Sequence, residues 1–379
     1  MSNIFSVFSG TGSYIPKVVV KNEDFLKHTF YDSDGERIKH SKDEYTADEG
    51  WKKKGEPKST KQVIDKFEET TRGKERRYVT DDLVTSDIGF FAAKDALISS
   101  GIDKESLDYI IFAHNFGDVR ADNKRSDFVP TLAARVKHML EIHNPKTIAY
   151  DLPFGCPGWL QGVIQADYYI KSGDAKRIMV VGAETLSRVY DPFDMDCMLY
   201  ADGAGATILE AMISDFPVGI LAHAARSDTI EHAHMLWMDK SYNPDYKGDE
   251  IFLKMYGNKL YKYALRTVPL VVKESLDKAG LTLDEVDKVL IHQANAKMDD
   301  AILERLFHLY GKKADEIPER MMPLTIPWLG NSSVATIPTL LDMIMKKELT
   351  KYSLKTGDIV VFASVGAGMN INSVVYRMP

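Results

Sequence analysis

Apolar, β-rich runs at Tyr109 to Ala113, Ile178 to Val181, Val289 to Ile291 and Ile359 to Ala363 alternate with helical stretches such as Leu260 to Ala279. That alternation predicts an α/β sheet protein. The pattern also repeats. Lys94 to Ala113 (KDALISSGIDKESLDYIIFA) matches Lys273 to His292 (KESLDKAGLTLDEVDKVLIH) about 180 residues later, with Lys, Leu, Gly and Asp in register, and each copy reads as helix, turn, strand. Two further pairs keep nearly the same spacing. Pro153-Phe154-Gly155-Cys156 answers Pro327-Trp328-Leu329-Gly330-Asn331, and Gly173-Asp174 with a strand ending Gly182-Ala183 answers Gly357-Asp358 with a strand ending Gly366-Ala367. Two similar α/β halves are therefore expected, residues 1–215 and 216–379, packed so that the repeated loops meet and Cys156 and Asn331 hold equivalent positions. Tyr31 to Gln62 falls outside the repeat. Almost wholly polar, with Lys52-Lys53-Lys54 in it, it reads as an inserted surface loop, either a solvated excursion or a lid or basic contact for an acidic partner.

With 379 residues the chain can hold two cores or one large α/β unit, and 44% hydrophobic with 27% charged residues is ordinary for a globular protein. No run of about 18 apolar residues occurs. Met1 to Lys17 lacks a basic n-region and a long apolar stretch, so neither a membrane span nor a signal peptide is indicated and a cytoplasmic location is expected. The net charge of -7 argues against nonspecific nucleic-acid binding, which needs a basic surface. Two cysteines, Cys156 and Cys197, are too few for a disulfide framework and lack zinc spacing, so their interest is chemical. No metal or cofactor is expected: the ten histidines form no ligand motif, His232 and His234 read as surface residues, and Gly203-Ala204-Gly205 is too short for a dinucleotide fingerprint and suits close strand packing.

Cys156 stands where a strand ends in a tight turn and Leu160 to Ile170 can continue as a helix. A thiol near a helix N-terminus is expected to favour the thiolate, with Pro157 suited to a first helical position; a lone cysteine is otherwise buried filler. His292 ends the strand Val289-Leu290-Ile291, at the edge where α/β sheets present ligands, though a structural histidine would be unremarkable there. Asn331 lies in a turn leading to a helix and, alone, would read as an N-cap. Together the three suit thioester chemistry: the thiolate takes an acyl group, and two neutral donors hold the oxygen of a second thioester as it becomes an enolate. Ser364-Val365-Gly366-Ala367-Gly368-Met369 is either a plain turn between strands or, through its small residues, a second oxyanion hole for the acyl oxygen.

With Gly10-Thr11-Gly12-Ser13-Tyr14-Ile15-Pro16, Glu75-Arg76-Arg77, the Cys156 turn, Ala201 to Ala206, His292-Gln293-Ala294-Asn295, Gly330-Asn331-Ser332-Ser333 and Gly366-Ala367-Gly368, the chain resembles the β-ketoacyl-ACP synthase III family of the thiolase superfamily over nearly its whole length. The resemblance implies a thiolase fold, two similar α/β halves in αβαβα layers, and a homodimer in which Arg120 to Pro130 reaches towards the partner's pocket. It implies Cys156 as acyl-accepting nucleophile, His292 and Asn331 as ligands of the extender thioester, and the backbone of Cys156 and Ala367 as acyl oxyanion hole, flanked by Gly366 and Gly368. It makes Asn295 a contact of the pantetheine arm and Lys297 a docking residue for acidic acyl carrier protein.

The chain departs from the family at two places. Phe154-Gly155-Cys156-Pro157-Gly158-Trp159 replaces a small alanine-rich turn, so Phe154 and Trp159 are expected to reshape the acyl pocket. Lys66 and Thr70 fall near the places of the tryptophan and arginine that grip coenzyme A, which counts against an acyl-CoA primer. The turn resembles that of the bacterial dialkylresorcinol condensing enzymes, which implies joining a β-ketoacyl thioester to a second acyl thioester and cyclising to a cyclohexanedione that a partner enzyme aromatises. The alternatives are decarboxylative priming with malonyl-ACP, a hydrolase using the Cys and His, and a noncatalytic thiolase-fold partner, whose mark would be loss of the nucleophile.

Overall fold

The computed structural model describes residues 4–39, 42–46, 50–54 and 58–379. Strands β1 (Ile4–Tyr14), β2 (Tyr109–His114), β3 (Ile148–Pro153), β4 (Arg177–Thr185) and β5 (Asp202–Ile213) form one sheet in the order β1-β5-β4-β2-β3. Strands β6 (Gly219–Ser227), β7 (Lys288–Ile291), β8 (Ile359–Gly366) and β9 (Asn370–Arg377) form a second in the order β6-β9-β8-β7. Both sheets contain a parallel pair, β2 with β4 and β7 with β8, next to an antiparallel pair, β4 with β5 and β8 with β9, and the first sheet has a second parallel pair, β2 with β3. Where the first sheet adds β3, the second has the single bond from Val289 N–H to Met321 O, 2.9 Å.

Helices complete the matched order: α1 (Thr60–Thr71), α2 (Thr85–Ser100), α3 (Leu132–Met139), α4 (Gly158–Ser172), α5 (Gly257–Ala279), α6 (Ala296–Leu309) and α7 (Thr336–Met345). α4 and α7 lie between the sheets, so both bury nearly every face. Leu160, Val163 and Ile164 of α4 and Ile337, Leu340 and Leu341 of α7 share one core with Val180 of the first sheet and Val360 and Phe362 of the second. Such all-round burial explains the weak amphipathic pattern of α4. α2 and α3 cover the outer face of the first sheet, and α5 and α6 that of the second. α5 shows the helical period plainly, with Leu260, Ala264, Val268, Val271, Val272 and Leu276 buried along one stripe. The result is five layers, α-β-α-β-α.

The polar stretch Tyr31 to Gln62 is not simply a loop. It contains an antiparallel pair, Lys42–Thr46 with Gly50–Lys54, and the basic run Lys52 to Lys54 lies in its second strand. Gly55, Glu56 and Pro57 lie outside the described residues. The stretch also ends earlier than expected. Ser59 accepts from Gln62 N–H at 3.3 Å while Gln62 Oε1 accepts from Ser59 N–H at 2.9 Å, a capping box that starts α1 at Thr60.

Candidate active site

The cysteine turn is built by close backbone packing. Gly155 adopts φ +76°, and a Cβ there would stand 3.0 Å from Ala367 N. A Cβ on Gly366 would stand 2.6 Å from Cys156 N. Small residues at both places let the 366–367 backbone press directly on Cys156. α4 begins at Gly158 with Pro157 as its N-cap, so the proline sits one position earlier than the first helical residue expected for it.

His292 follows β7 and continues its pairing, donating from its backbone N–H to Ala363 O at 2.9 Å. Its ring is buried, with Nδ1 2.7 Å from Thr336 Oγ1 at the start of α7. The next residue, Gln293, is fully buried and holds the turn: Nε2 donates to Ile291 O, and Oε1 accepts from Thr325 N–H and Ile326 N–H.

Asn331 is not a helix cap. Its N–H donates to Leu199 O and its carbonyl accepts from Ala201 N–H, both at 2.9 Å, so its backbone is clamped to the Tyr200 segment. Its side-chain Oδ1 accepts from Ser333 N–H at 2.8 Å. Ser333, at φ +53°, opens a short turn leading to α7, and its hydroxyl donates to Cys156 Sγ at 3.3 Å.

Cys156, His292 and Asn331 line one cavity of about 300 Å³, together with Asn115, Ser333, Gly366 and Ala367. Elsewhere its walls are mainly apolar, including Leu186, Leu199, Leu253, Met255, Leu260 and Met298. A polar end on an apolar chamber is the usual build of a site for a largely apolar ligand with one reactive group.

The electrostatics differ from the expectation of a helix-stabilised thiolate. Burial pushes the Cys156 thiol up to about 11 and Glu184 adds to the rise, against the Ser333 hydroxyl and the cysteine's own N–H, which oppose it. The helix α4 starts only at Gly158, two residues after Cys156. Burial lowers His292 to about 4, so its imidazole is neutral at ordinary pH. Glu184 is pushed up to about 7 by burial, with His114, the Asn115 bonds and the Phe116 N–H pulling it down.

Other residues named from sequence fall elsewhere. Trp159 is a core residue: it is buried, stacks on Phe8 at 6.0 Å and meets Phe362 edge-on at 6.0 Å. Its place on the first turn of α4 turns it between the sheets, so it is not a wall of the cavity as expected. Phe154, Gly368 and Asn295 are likewise not among the cavity's lining residues. Asn295 caps α6, its Oδ1 accepting from Lys297 N–H at 3.0 Å and Met298 N–H at 3.2 Å. Lys297 is exposed on the first turn of α6. Lys66 and Thr70 are exposed on α1. His232 and His234 line a separate cavity of about 550 Å³ with Lys259, Lys262 and Arg266.

Sequence reasoning missed Ser333, Asn115, Thr336 and Glu184. Ser333 and Thr336 stand within five residues of Asn331, so a signal was present in the run from Gly330 to Thr336. Asn115 and Glu184 carry no motif; they reach the site because β2 and β4 are neighbours in the sheet and end on the same side.

Five α-β-α-β-α layers with the cavity at the repeated loops define a thiolase-fold protein. Residues 150–229 match the family model of 3-oxoacyl-(acyl-carrier-protein) synthase III, and residues 276–378 match that of its C-terminal part. The β-ketoacyl-(acyl-carrier-protein) synthase III of Brucella anthropi is 30% identical over 380 residues, covering 99% of both chains. That of Mesorhizobium japonicum is 29% identical over 380 residues, again covering 99% of both. The solved structure of the Thermus thermophilus enzyme of that name superposes with a TM-score of 0.76 at 28% identity, covering 98% of this chain and 99% of that one. The chain belongs to the β-ketoacyl-ACP synthase III family of condensing acyltransferases.

Proposed function

We propose that this chain is a ketosynthase that carries an acyl group on Cys156, joins it to a β-ketoacyl thioester and cyclises the product to a dialkylcyclohexanedione. The observation that carries the reading is the meeting of Cys156, His292 and Asn331 at the polar end of one apolar cavity. The specialised product is supported by the Phe-Gly-Cys-Pro-Gly-Trp turn shared with the dialkylresorcinol condensing enzymes.

In the first step Sγ of Cys156 attacks the thioester carbonyl. The departing thiolate takes the proton that the cysteine gives up, and the acyl oxygen is held by the N–H groups of Cys156 and Ala367. In the second, the α-carbon of the other thioester loses a proton and forms a carbon-carbon bond to the acyl carbonyl while its own carbonyl oxygen carries enolate charge. The bond to Sγ breaks, the departing Cys156 thiolate takes up a proton, and ring closure by a second such acylation releases the carrier thiol. Asn331 Nδ2 and His292 Nε2 are the donors for that oxygen. The Thr336 hydroxyl donates to Ser333 O at 3.1 Å and accepts from Gln293 N–H at 3.3 Å, so Nε2 carries the N–H only in the tautomer in which that hydroxyl turns from Ser333 O to Nδ1. In that tautomer a neutral imidazole holds the charge without losing its proton, which suits a ring kept neutral by burial.

Acyl carrier protein is the donor favoured for the substrates. Exposed Lys297 suits an acidic partner, while Lys66 and Thr70 offer no aromatic grip for coenzyme A. A homodimer, with residues 120–130 as a contact, and a separate aromatising enzyme complete the reading. So do the halves 1–215 and 216–379, supported by the matched strand orders of the two sheets.

The second reading is decarboxylative priming with malonyl-ACP, favoured by the names of the family relatives. Supplying carboxyl-labelled malonyl and unlabelled β-ketoacyl thioesters, each on carrier protein and on coenzyme A, separates the two. A cyclic dione formed without labelled carbon dioxide supports the proposal. A β-ketoacyl product formed with release of label, and no dione from any pair, overturns it.

A further inference from the structure

We infer that Asn115 and Glu184 are positioning residues that hold the Ser333 hydroxyl as a hydrogen-bond donor to Cys156 Sγ. The inference rests on Cys156 being the acyl carrier.

Asn115 stands just after β2, and Glu184 near the end of β4, the neighbouring strand. Asn115 Nδ2 donates to Glu184 Oε2 at 2.6 Å and to Ser333 Oγ at 2.9 Å, and the Asn115 backbone N–H donates to the same carboxylate oxygen at 3.0 Å. An ionised carboxylate only accepts, so it selects the NH₂ end of the Asn115 amide and spends one of its two hydrogens. The other hydrogen goes to Ser333 Oγ. With that oxygen occupied as an acceptor, the single hydroxyl hydrogen of Ser333 is left for Cys156 Sγ, 3.3 Å away. Each link is set by the one before it, and the chain starts from a charge.

That charge is expensive to keep. Glu184 is buried, and its Oε1 has no hydrogen-bond partner of good geometry among the described residues. Oε2 is satisfied by the two Asn115 bonds. A buried carboxylate with the Phe116 N–H as the one further donor beside the two Asn115 bonds is not a stabilising device, which points to a role at the site it faces. The titratable groups around it are His114 at the end of β2 and Cys156 across the turn. His114 accepts from Gly117 N–H on Nδ1 and turns Nε2 to Asp151 at 3.2 Å, so it does not supply the missing partner. Around Cys156 stand Glu184, Tyr200 and His292.

The carboxylate acts on the cysteine in two opposed ways. Its charge disfavours a thiolate, while the hydroxyl it orients favours one. The hydrogen bond is direct and is the larger influence of the two on Sγ. Ionised Glu184 therefore assists attack by Sγ, and it assists equally when Sγ leaves the acyl group in the second step. A proton on Glu184 goes to Oε1, the oxygen without a partner of good geometry, and leaves Oε2 to accept from both Asn115 N–H groups, so protonation removes the charge and keeps the orientation.

The test is the rate of Cys156 alkylation by iodoacetamide from pH 6 to 9.5, followed by intact mass. Wild type sets the reference profile. Glu184→Leu removes the acceptor and is expected to lower the rate about tenfold at pH 8, whereas Glu184→Gln, whose amide oxygen still accepts from Asn115, is expected to stay within about twofold of wild type. Asn115→Ala breaks the same chain at its middle and is expected to give the same loss as Glu184→Leu, so the result does not depend on one variant folding. In a Ser333→Ala background Glu184→Leu should have no further effect, because the link to sulfur is already gone. Wild-type rates in both Glu184→Leu and Asn115→Ala, or equal effects of Glu184→Leu with and without Ser333, overturn the inference. If acyl thioesters label Cys156→Ala protein as well as wild type, the reading of the site falls and this inference with it. If only wild type is labelled and Glu184→Leu matches its alkylation profile, the inference alone falls.

Discussion

Ser333 N–H donates to Asn331 Oδ1 at 2.8 Å, which leaves Nδ2 as the part of the Asn331 amide able to serve a ligand. One backbone bond thus decides which end of the amide the cavity meets. Asn331→Asp keeps the shape and the bond from Ser333 but replaces the donor by an oxygen. Acylation of Cys156 is expected to persist while condensation falls by about 100-fold or more. Burst-phase mass analysis against steady-state turnover checks the split, and equal loss of both steps would refute the assignment of Asn331 to the second step.

Thr336 Oγ1 is 2.7 Å from His292 Nδ1 in a buried setting. Thr336→Val leaves that nitrogen without its partner, at a cost of about 1–3 kcal/mol in stability. Condensation is expected to fall about tenfold. Urea denaturation and product formation measure the two effects, and an unchanged condensation rate would show that the ring needs no such anchor.

Gly366 has no room for a side chain, since its Cβ would meet Cys156 N at 2.6 Å and Cys156 Cβ at 2.9 Å. Gly366→Ala is expected to drive the two backbones apart and abolish the acyl-enzyme while the protein remains folded. Circular dichroism together with intact mass decides this. A normally acylated Gly366→Ala protein would exclude the Cys156 and Ala367 N–H pair as the acyl oxyanion hole.

Glu184 titrates at about 7 in the folded chain against an ordinary 4.5. The folded state therefore binds this proton more tightly than the unfolded chain does. The stability it contributes is full below about 4.5 and is lost as pH rises through about 7, by about 3 kcal/mol in all. Glu184→Gln has no such loss. Relative to wild type it should gain stability between pH 4.5 and 8. Denaturation of both proteins at pH 5 and pH 8 tests the sign; a difference that does not change with pH would place the titration elsewhere.

The repeat made the fold legible. Lys94 to Ala113 and Lys273 to His292 became α2 with β2 and α5 with β7, and the four apolar runs became β2, β4, β7 and β8. Cys156, His292 and Asn331 were legible because each sits in a loop that the repeat singles out. What could not be read was orientation. Trp159 looked like a pocket wall because it stands three residues from Cys156, yet the first turn of α4 sends it between the sheets. The thiol looked ionised because a helix comes after it, yet burial raises it instead. Asn115 and Glu184 are 69 residues apart and meet only through strand order.

Labelling of the cysteine tests the mechanism most directly. Wild-type and Cys156→Ala protein would be incubated with β-ketoacyl and malonyl thioesters, on carrier protein and on coenzyme A, and weighed intact. An added acyl mass is expected on wild type and not on Cys156→Ala. Equal added mass on both proteins, or none on either while product still forms, would contradict a mechanism that runs through Cys156.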